Sequence, residues 1–320
     1  MQRIVKSIIP PEDANTELLC FLASRFTYHN RKEWDKLIRE ERILLDGAPV
    51  SSQTRIQAGM QIEYLVPDLP EPEVNEQYNV VYEDDILLAV DKPGNLPIHP
   101  AGRFFKHTLW ALLKRDFPDL KPRFISRLDR ETSGLVLIAK NVEAHRTCQA
   151  AGQAGCMHKS YVAVVEGQFP ETLDAEGILV PDGTSPVRKK QRFIPRQSGH
   201  LSGCDGKSCR TLFRRRTTGN GLSIVEARLV TGRQHQIRAT SHSLGYPLAG
   251  DKLYGVDDTC FLRFIEDRMT AEDHRKLRLS HQALHAFTVS LPHPETGRTL
   301  TLPRPIPQEF LSLLECDEQS

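Results

Sequence analysis

The segment FISRLDRETSGLVLIAK, residues 124–140, combines the clearest strand pattern of the chain with a dense group of charges. Its first half contains Arg127, Asp129 and Arg130, and its second half is the apolar run 135–139. A short apolar run that ends at a charge is typical of a strand buried inside a sheet. We therefore expect Asp129 at the mouth of a buried strand.

Two interpretations of Asp129 are open from these residues alone. In the first, it belongs to a surface loop and forms a local salt bridge with a flanking arginine. In the second, it is a catalytic carboxylate that cations keep ionised, because an opposite charge within a few ångströms lowers the pKa of an aspartate.

The same segment resembles the first motif of the RluA group of pseudouridine synthases, which act on large-subunit ribosomal RNA and transfer RNA. That motif is H-R-L-D-x-x-T-S-G, and this chain matches it from Arg127 to Gly134 but has Ser126 in place of the histidine. The resemblance implies that Asp129 is the catalytic residue and that Arg127 fills the space left by a flipped base. It also assigns Thr132 to substrate binding.

A second match to the family is TGRQHQIRATSHSLGYPLAGDKLYG, residues 231–255, which departs from the family pattern at Thr240, where histidine is frequent. From the residues alone, a helix is expected to begin at 236–238. The resemblance implies that Arg238 is the cation that pairs with Asp129. It assigns three more residues to the substrate site: Arg233, His235 and Ile237.

Tyr161 lies in HKSYVAVVEG, residues 158–167, immediately before the expected strand 162–165. An aromatic residue at the start of a strand usually packs in the core. The family pattern here is K-x-Y-x-A-V-V-x-G, and the resemblance makes Tyr161 the aromatic catalytic-site residue that packs against the target base. Such stacking contributes about 1–3 kcal/mol per base.

Residues 185–216 contain ten Lys or Arg against one acid, Asp205, in a chain whose formal net charge is only +1. One interpretation is a solvated face, and the other is a surface that follows the phosphates of a nucleic acid, which we favour. Gly and Ser in 198–208 predict a flexible loop. By resemblance, Lys207 occupies a Gly-Lys position before the expected strand 211–215 and is assigned to substrate binding.

The first 66 residues predict a small module of two helices, 17–26 and 31–39, followed by a hairpin at Asp46-Gly47. The module resembles the RNA-binding domain named after small-subunit ribosomal protein four, although Met60 replaces a usual aspartate. Its helices carry basic residues that are candidates for RNA contact, the alternative being a solvated face: Arg25, Arg31, Lys32, Lys36 and Arg39.

The predicted domain organisation is a small RNA-binding module (1–66), an acidic, proline-rich linker (67–78), a catalytic domain (79–312) and a tail (313–320). The expected fold class is α+β. We expect a large mixed, mostly antiparallel sheet with a central cleft in the catalytic domain, preceded by the small α/β module.

Composition sets broad limits, since 39% hydrophobic and 26% charged residues are ordinary values for globular proteins. The seven cysteines form no C-x-x-C pair and indicate a reducing compartment. No apolar run is long enough to span a membrane, and Lys6 and Pro10 interrupt the N-terminus in a way that a signal peptide would not. We expect a cytoplasmic monomer without a metal site.

The resemblance implies an enzyme that isomerises specific uridines in structured rRNA or tRNA to pseudouridine. No cofactor is expected, because the isomerisation is redox-neutral and transfers no group. Whether Asp129 attacks covalently or removes a proton stays open. One alternative is a non-catalytic RNA-binding protein, which would be expected to have lost Asp129 or Arg238. The other is a nucleoside or glycoside hydrolase using Asp129 and Glu131, although residues two apart in an extended segment point to opposite faces.

Overall fold

The structure is a computed structural model that describes residues 3–26, 29–66, 71–196, 206–255, 257–266 and 268–315. The chain divides into two compact units, Met1–Pro72 and Glu73–Ser320. Part of the predicted linker (67–70), most of the expected flexible loop (197–205) and the end of the tail (316–320) lie outside the described residues.

The elements of the first unit are β1 (Arg3–Ile8), a 3-10 turn (Pro11–Asp13), α1 (Leu18–Arg25), α2 (Arg31–Arg39), β2 (Ile43–Leu45), β3 (Ala48–Pro49) and β4 (Gln61–Val66). Its described residues form a four-stranded antiparallel sheet in the order β1-β4-β2-β3. The apolar faces of α1 and α2 and the inner residues of the strands share one core, in which Leu18, Trp34 and Ile43 are fully buried. The apolar spacing predicted both helices.

Strand β1 was missed in the sequence, because it is defined by pairing with β4 at the far end of the unit. The basic helix residues have acidic neighbours: Arg39 pairs with Asp35 at 2.8 Å and Lys36 with Glu40 at 3.7 Å. Such exposed pairs contribute little to stability. RNA contact by this unit stays a prediction.

The second unit begins with β5 (Asn79–Glu83), β6 (Leu87–Lys92), α3 (Leu109–Asp116), β7 (Arg123–Phe124), β8 (Ser133–Ala139), α4 (Val142–Gln153), β9 (His158–Glu166), β10 (Thr172–Pro181) and β11 (Gln191–Pro195). It continues with β12 (Lys207–Gly219), β13 (Leu222–Leu229), α5 (Gln236–Ser243), α6 (Asp258–Ile265), α7 (Ala271–Leu277), β14 (Leu284–Pro292), β15 (Thr299–Pro303) and α8 (Gln308–Ser312).

In the described part of this unit, eleven strands form one sheet in the order β11-β10-β12-β13-β9-β14-β8-β6-β5, with β15 on β14 and β7 on β8. The β8–β14 ladder is parallel and the other ladders are antiparallel. The predicted α+β class with a large, mostly antiparallel sheet is therefore confirmed. Strand β8 is buried along its whole length, as its apolar run predicts.

Gly134 makes the parallel junction between β8 and β14 possible. It pairs with Ala286, and its φ of 104° lies in a region that side chains disfavour. A Cβ at this position would lie 2.4 Å from the carbonyl oxygen of Ala286. The close approach of the two strands therefore requires glycine at the third position of the Thr-Ser-Gly turn.

The other two residues of that turn bind the same region of the chain. The hydroxyl of Thr132 accepts a hydrogen bond from the side chain of Gln282, and the hydroxyl of Ser133 lies 2.9 Å from Nδ1 of His285. All four side chains are buried. Through these contacts the turn attaches the loop that contains Asp129 to the residues at the start of β14.

Two regions differ from the sequence-based expectation. The basic segment contains β11, which was not predicted, and β12, which includes the expected strand 211–215 but extends from Lys207 to Gly219, so that its described part is mainly sheet. Helices α6 and α7 were not predicted at all. None of the described helices is long and apolar enough to cross a bilayer.

Candidate active site

Asp129 and Arg238 meet although they are 109 positions apart in the chain: Nη1 of Arg238 donates a hydrogen bond of 2.7 Å to Oδ2 of Asp129. Asp129 lies in the loop before β8, and Arg238 lies in the first turn of α5. The Asp129 side chain keeps 37% of its accessible surface, whereas that of Arg238 keeps 9%. A reactant can therefore reach the carboxylate while the guanidinium stays enclosed.

Arg238 also forms a salt bridge with Asp251, through the guanidinium nitrogens that do not contact Asp129. Nε and Nη2 of Arg238 donate to Oδ2 and Oδ1 of Asp251 at 2.7 and 2.9 Å, a bidentate pair in which Asp251 is fully buried. Asp251 also accepts hydrogen bonds from the backbone N–H groups of Leu253 and Tyr254, both at 2.9 Å. Burial opposes ionisation of Asp251, but Arg238 and these amides outweigh it and lower its pKa to about 2.

The same guanidinium decides the charge of Asp129. Burial alone would raise the pKa of Asp129, but the charge and hydrogen bond of Arg238 outweigh it, and the pKa lies below the ordinary value. His235 adds no positive charge at neutral pH, because burial and the proximity of Arg238 lower its own pKa to about 4. Asp129 is thus an ionised, accessible carboxylate at neutral pH.

His235 lies beside this pair, with Nε2 3.8 Å from Oδ2 of Asp129. It occupies the N-cap position of α5 with a left-handed backbone, φ 56° and ψ 18°. Its other ring nitrogen, Nδ1, lies 3.0 Å from the hydroxyl of Tyr254. The predicted site residues Asp129, Arg238 and His235 are therefore brought together.

Tyr161 lies on β9 and lines a pocket together with Ser126, Lys159 and other residues of β8, β9 and β14. Burial, with a further contribution from the charge of Asp129, raises its pKa to about 12. The residue as a whole is 9% exposed. Tyr161 is therefore protonated at neutral pH, lies within range of the charge of Asp129, and packs in the main hydrophobic core beside a small pocket.

The arginines next to Asp129 in the sequence do not pair with it. Arg127 is exposed, with no hydrogen bond or ion pair to any described residue. The Arg130 guanidinium lies 5.1 Å from the ring centroid of Phe104 and 4.6 Å from that of Phe264. The interpretation of Asp129 as a surface residue in a local salt bridge is therefore wrong.

The remaining residues assigned to substrate binding lie in different surroundings. Thr132 is buried in the turn described above, and Ile237 is 4% exposed and packs in the main core. Arg233 is exposed and donates from Nε to the carbonyl oxygen of Ser208 at 3.1 Å. Lys207 is exposed at the start of β12. Substrate binding by these four residues stays a prediction.

Glu131 does not share a site with Asp129. It accepts a hydrogen bond of 2.6 Å from Nζ of Lys252, and the same ammonium donates to the carbonyl oxygen of Ser280 at 2.7 Å. Glu131 and Lys252 are both buried. The Glu131 carboxylate is occupied by its ion pair with Lys252. The hydrolase interpretation required Glu131 as a second catalytic carboxylate beside Asp129, and the structure does not support that role.

The basic segment is less free than its composition indicates, because neighbouring strands supply acids. Five of its ten cations bind described protein groups: Lys190 with Asp182, Arg196 with Glu176, Arg210 with Asp174, Arg216 with Glu226, and Arg215 with the carbonyl oxygen of Phe169. Lys189 differs from them: its ammonium lies 4.0 Å from the ring centroid of Phe261, and burial and Arg238 lower its pKa to about 8.

Sequence reasoning gave no role to Asp251 or Tyr254, although both lie in the matched segment 231–255. The signal was present as the Gly-Asp and Tyr-Gly pairs of the motif. Their importance depends on contacts with Arg238 and His235 that the chain spacing does not reveal. Among the described residues, no three His, Cys, Asp or Glu side chains are grouped as metal ligands.

Comparison with known proteins gives a consistent result. A family model described as RNA pseudouridylate synthase matches residues 86–243. An uncharacterized RNA pseudouridine synthase of Chloroflexus aurantiacus is 33% identical, over 98% of this chain and 93% of the relative. Ribosomal large subunit pseudouridine synthase D of Pseudomonas aeruginosa is 30% identical, over 96% of this chain and 93% of the relative.

A solved structure supports the fold alone. Human RNA pseudouridylate synthase domain containing 1 superposes with a TM-score of 0.56 at 24% identity, over 74% of this chain and 86% of that one.

Proposed function

This chain belongs to the RNA pseudouridine synthase family of isomerases, and from that premise we propose that it converts specific uridines of structured RNA to pseudouridine through Asp129, without a cofactor. The observation that carries the proposal is the Asp129–Arg238 pair, in which a buried cation keeps an accessible carboxylate ionised.

Two routes are possible for Asp129, covalent attack and proton removal, and both require an ionised carboxylate. Asp129 cleaves the glycosidic bond by attacking the nucleoside or by removing a proton from the sugar, and the freed uracil rotates and rejoins through carbon 5. Both routes begin from the anion. Oδ2 of Asp129 accepts from Arg238, and Oδ1 has no partner among the described residues. We assign the reacting position to Oδ1.

The target nucleotide has to leave its stack to reach this carboxylate, which costs a few kcal/mol in a helix and less in a loop. Tyr161 would pack against the flipped base, and Thr132 and Ile237, both buried, would support the substrate site. Arg127 is exposed and would occupy the position that the base vacates. Arg233, His235 and Lys207 complete the proposed substrate contacts.

The RNA substrate is proposed from the names of the relatives, several of which are ribosomal large subunit pseudouridine synthases. The first test compares pseudouridine maps of rRNA and tRNA from cells with and without this gene. We expect one or a few sites in large-subunit rRNA to disappear and purified protein to restore them. Loss of tRNA sites alone would move the substrate to tRNA, and no lost site in either RNA would contradict the function.

A second prediction concerns phosphate contact by the basic segment. Replacing Arg188 and Lys189 by Gln should reduce the slope of log affinity against log salt by about 0.7–0.9 per lost phosphate contact. Lys190 is buried beside Asp182 and is left unchanged. Arg210→Gln is the matched control and should change the slope less, because Arg210 is paired with Asp174.

The measurement is filter binding or fluorescence anisotropy of an RNA transcript between about 50 and 200 mM salt. An unchanged slope in the double variant would make the segment a solvated face. The same titration with residues 1–66 deleted measures the proposed RNA contact of the N-terminal module.

A further inference from the structure

Tyr254 connects the backbone of β11 to the active-site histidine. Its side chain is fully buried, and its hydroxyl oxygen accepts a hydrogen bond of 2.9 Å from the backbone N–H of Gln191. The same oxygen lies 3.0 Å from Nδ1 of His235, with the two rings edge to face at 86°. No other described group lies within hydrogen-bonding distance of this hydroxyl.

Counting donors and acceptors settles the direction of the Tyr254–His235 bond. A peptide N–H only donates, so the Tyr254 oxygen is the acceptor towards Gln191. Burial raises the pKa of Tyr254, which therefore keeps its proton, and the low pKa of His235 leaves one N–H and one lone pair on its ring. If Nδ1 carried that proton, the Tyr254 O–H would have no acceptor, at a cost of about 1–3 kcal/mol.

The hydroxyl of Tyr254 therefore donates to Nδ1, and the imidazole proton lies on Nε2. That nitrogen faces Oδ2 of Asp129 at 3.8 Å, the same oxygen that accepts from Arg238. At this distance an N–H dipole favours the carboxylate anion, whereas the opposite tautomer would direct a lone pair at it. The left-handed backbone of His235 is a conformation that costs energy and recurs at functional sites.

We propose that Tyr254 is a positioning residue that fixes His235 as the Nε2–H tautomer, so that His235 and Arg238 both direct donors at Oδ2 of Asp129 and leave Oδ1 for the reaction. The inference rests on the proposed function for its catalytic consequence. The tautomer itself is a property of the protein without RNA. The charged groups around His235 are Asp129, Arg238, Lys189 and Asp251.

The first experiment records long-range 1H–15N correlation spectra of the full-length protein labelled with 15N-histidine, near pH 7. The His235 signals are assigned by their loss in His235→Gln. We expect the pattern of a protonated Nε2 and an unprotonated Nδ1 in the wild type. In Tyr254→Phe we expect a mixture of tautomers or the Nδ1–H form. A wild-type Nδ1–H tautomer would overturn the proposal, even if the Tyr254 variant failed to fold.

The second experiment measures turnover. Tyr254→Phe should lower kcat by about tenfold, equivalent to 1.4 kcal/mol, with RNA affinity unchanged. The side-chain amide in His235→Gln donates without help from Tyr254, so Tyr254→Phe should cost much less in that background. Tyr246→Phe is the matched control, since the Tyr246 ring packs on Phe169 outside this network.

Equal losses from Tyr254→Phe in both backgrounds, or an unchanged kcat, would also overturn the proposal. A wild-type protein that forms no pseudouridine but has the Nε2–H tautomer would contradict the proposed function and leave the tautomer assignment standing.

Discussion

Asp129→Asn is expected to abolish pseudouridine formation, lowering kcat by at least about 10³-fold, the scale seen when a catalytic nucleophile or base is lost. The amide keeps the shape of the side chain and an oxygen that can accept from Arg238, but it can neither attack nor accept a proton as a carboxylate does. Arg238 keeps its bidentate bond with Asp251, so the fold should be preserved. RNA affinity should stay within a few fold.

The assay is tritium release from RNA labelled at carbon 5 of uracil, because the new carbon–carbon bond expels that hydrogen. Asp174→Asn is the matched control: it makes the same chemical change at an aspartate paired with Arg210 on the sheet surface, and it should retain full activity. More than a few per cent of wild-type turnover in clean Asp129→Asn protein would refute the mechanism. A hydrolase would release free uracil and leave an abasic site.

Arg238→Ala is expected to lose both activity and stability, for separable reasons. The activity loss follows from Asp129, which would no longer have its cation. The stability loss follows from Asp251, which would be left buried without its partner, at a cost of about 3–5 kcal/mol. Chemical denaturation measures the second effect, and tritium release measures the first.

The double variant Arg238→Ala/Asp251→Asn separates the two effects. A neutral amide at 251 removes the unpaired charge, so much of the stability should return, while activity should not. Without the cation the pKa of Asp129 rises, so residual activity should fall more steeply at mildly acidic pH than in the wild type. Recovery of activity in the double variant would show that Arg238 acts only through the fold.

The sequence by itself determined several of the elements and the segments that carry the chemistry, whereas β1, α6 and α7 were not predicted from it. The run 135–139 predicted strand β8, and apolar spacing predicted helix α2. Both predictions depend on the spacing of apolar residues within a short segment, which can be read directly from the sequence. Asp129 and Arg238 were selected by resemblance to motifs, because the charges around Asp129 were equally compatible with a surface loop.

Tertiary structure decided which charges meet. Arg127 and Arg130 are neighbours of Asp129 in the chain, yet the partner of Asp129 is Arg238, held in turn by Asp251. The sequence shows few acids within the basic segment, but the pairing of β10 with β12 places Asp174 near Arg210, and the pairing of β10 with β11 places Glu176 near Arg196.

The physical reason is the same in each case. A periodic pattern specifies an element and its buried face, since each residue acts through its immediate neighbours along the chain. The pairing of strands and the packing of a helix on a sheet join residues at large separations, and they are selected by the fold as a whole. The charge state of Asp129 and the tautomer of His235 depend on such contacts, and only the folded chain determines them.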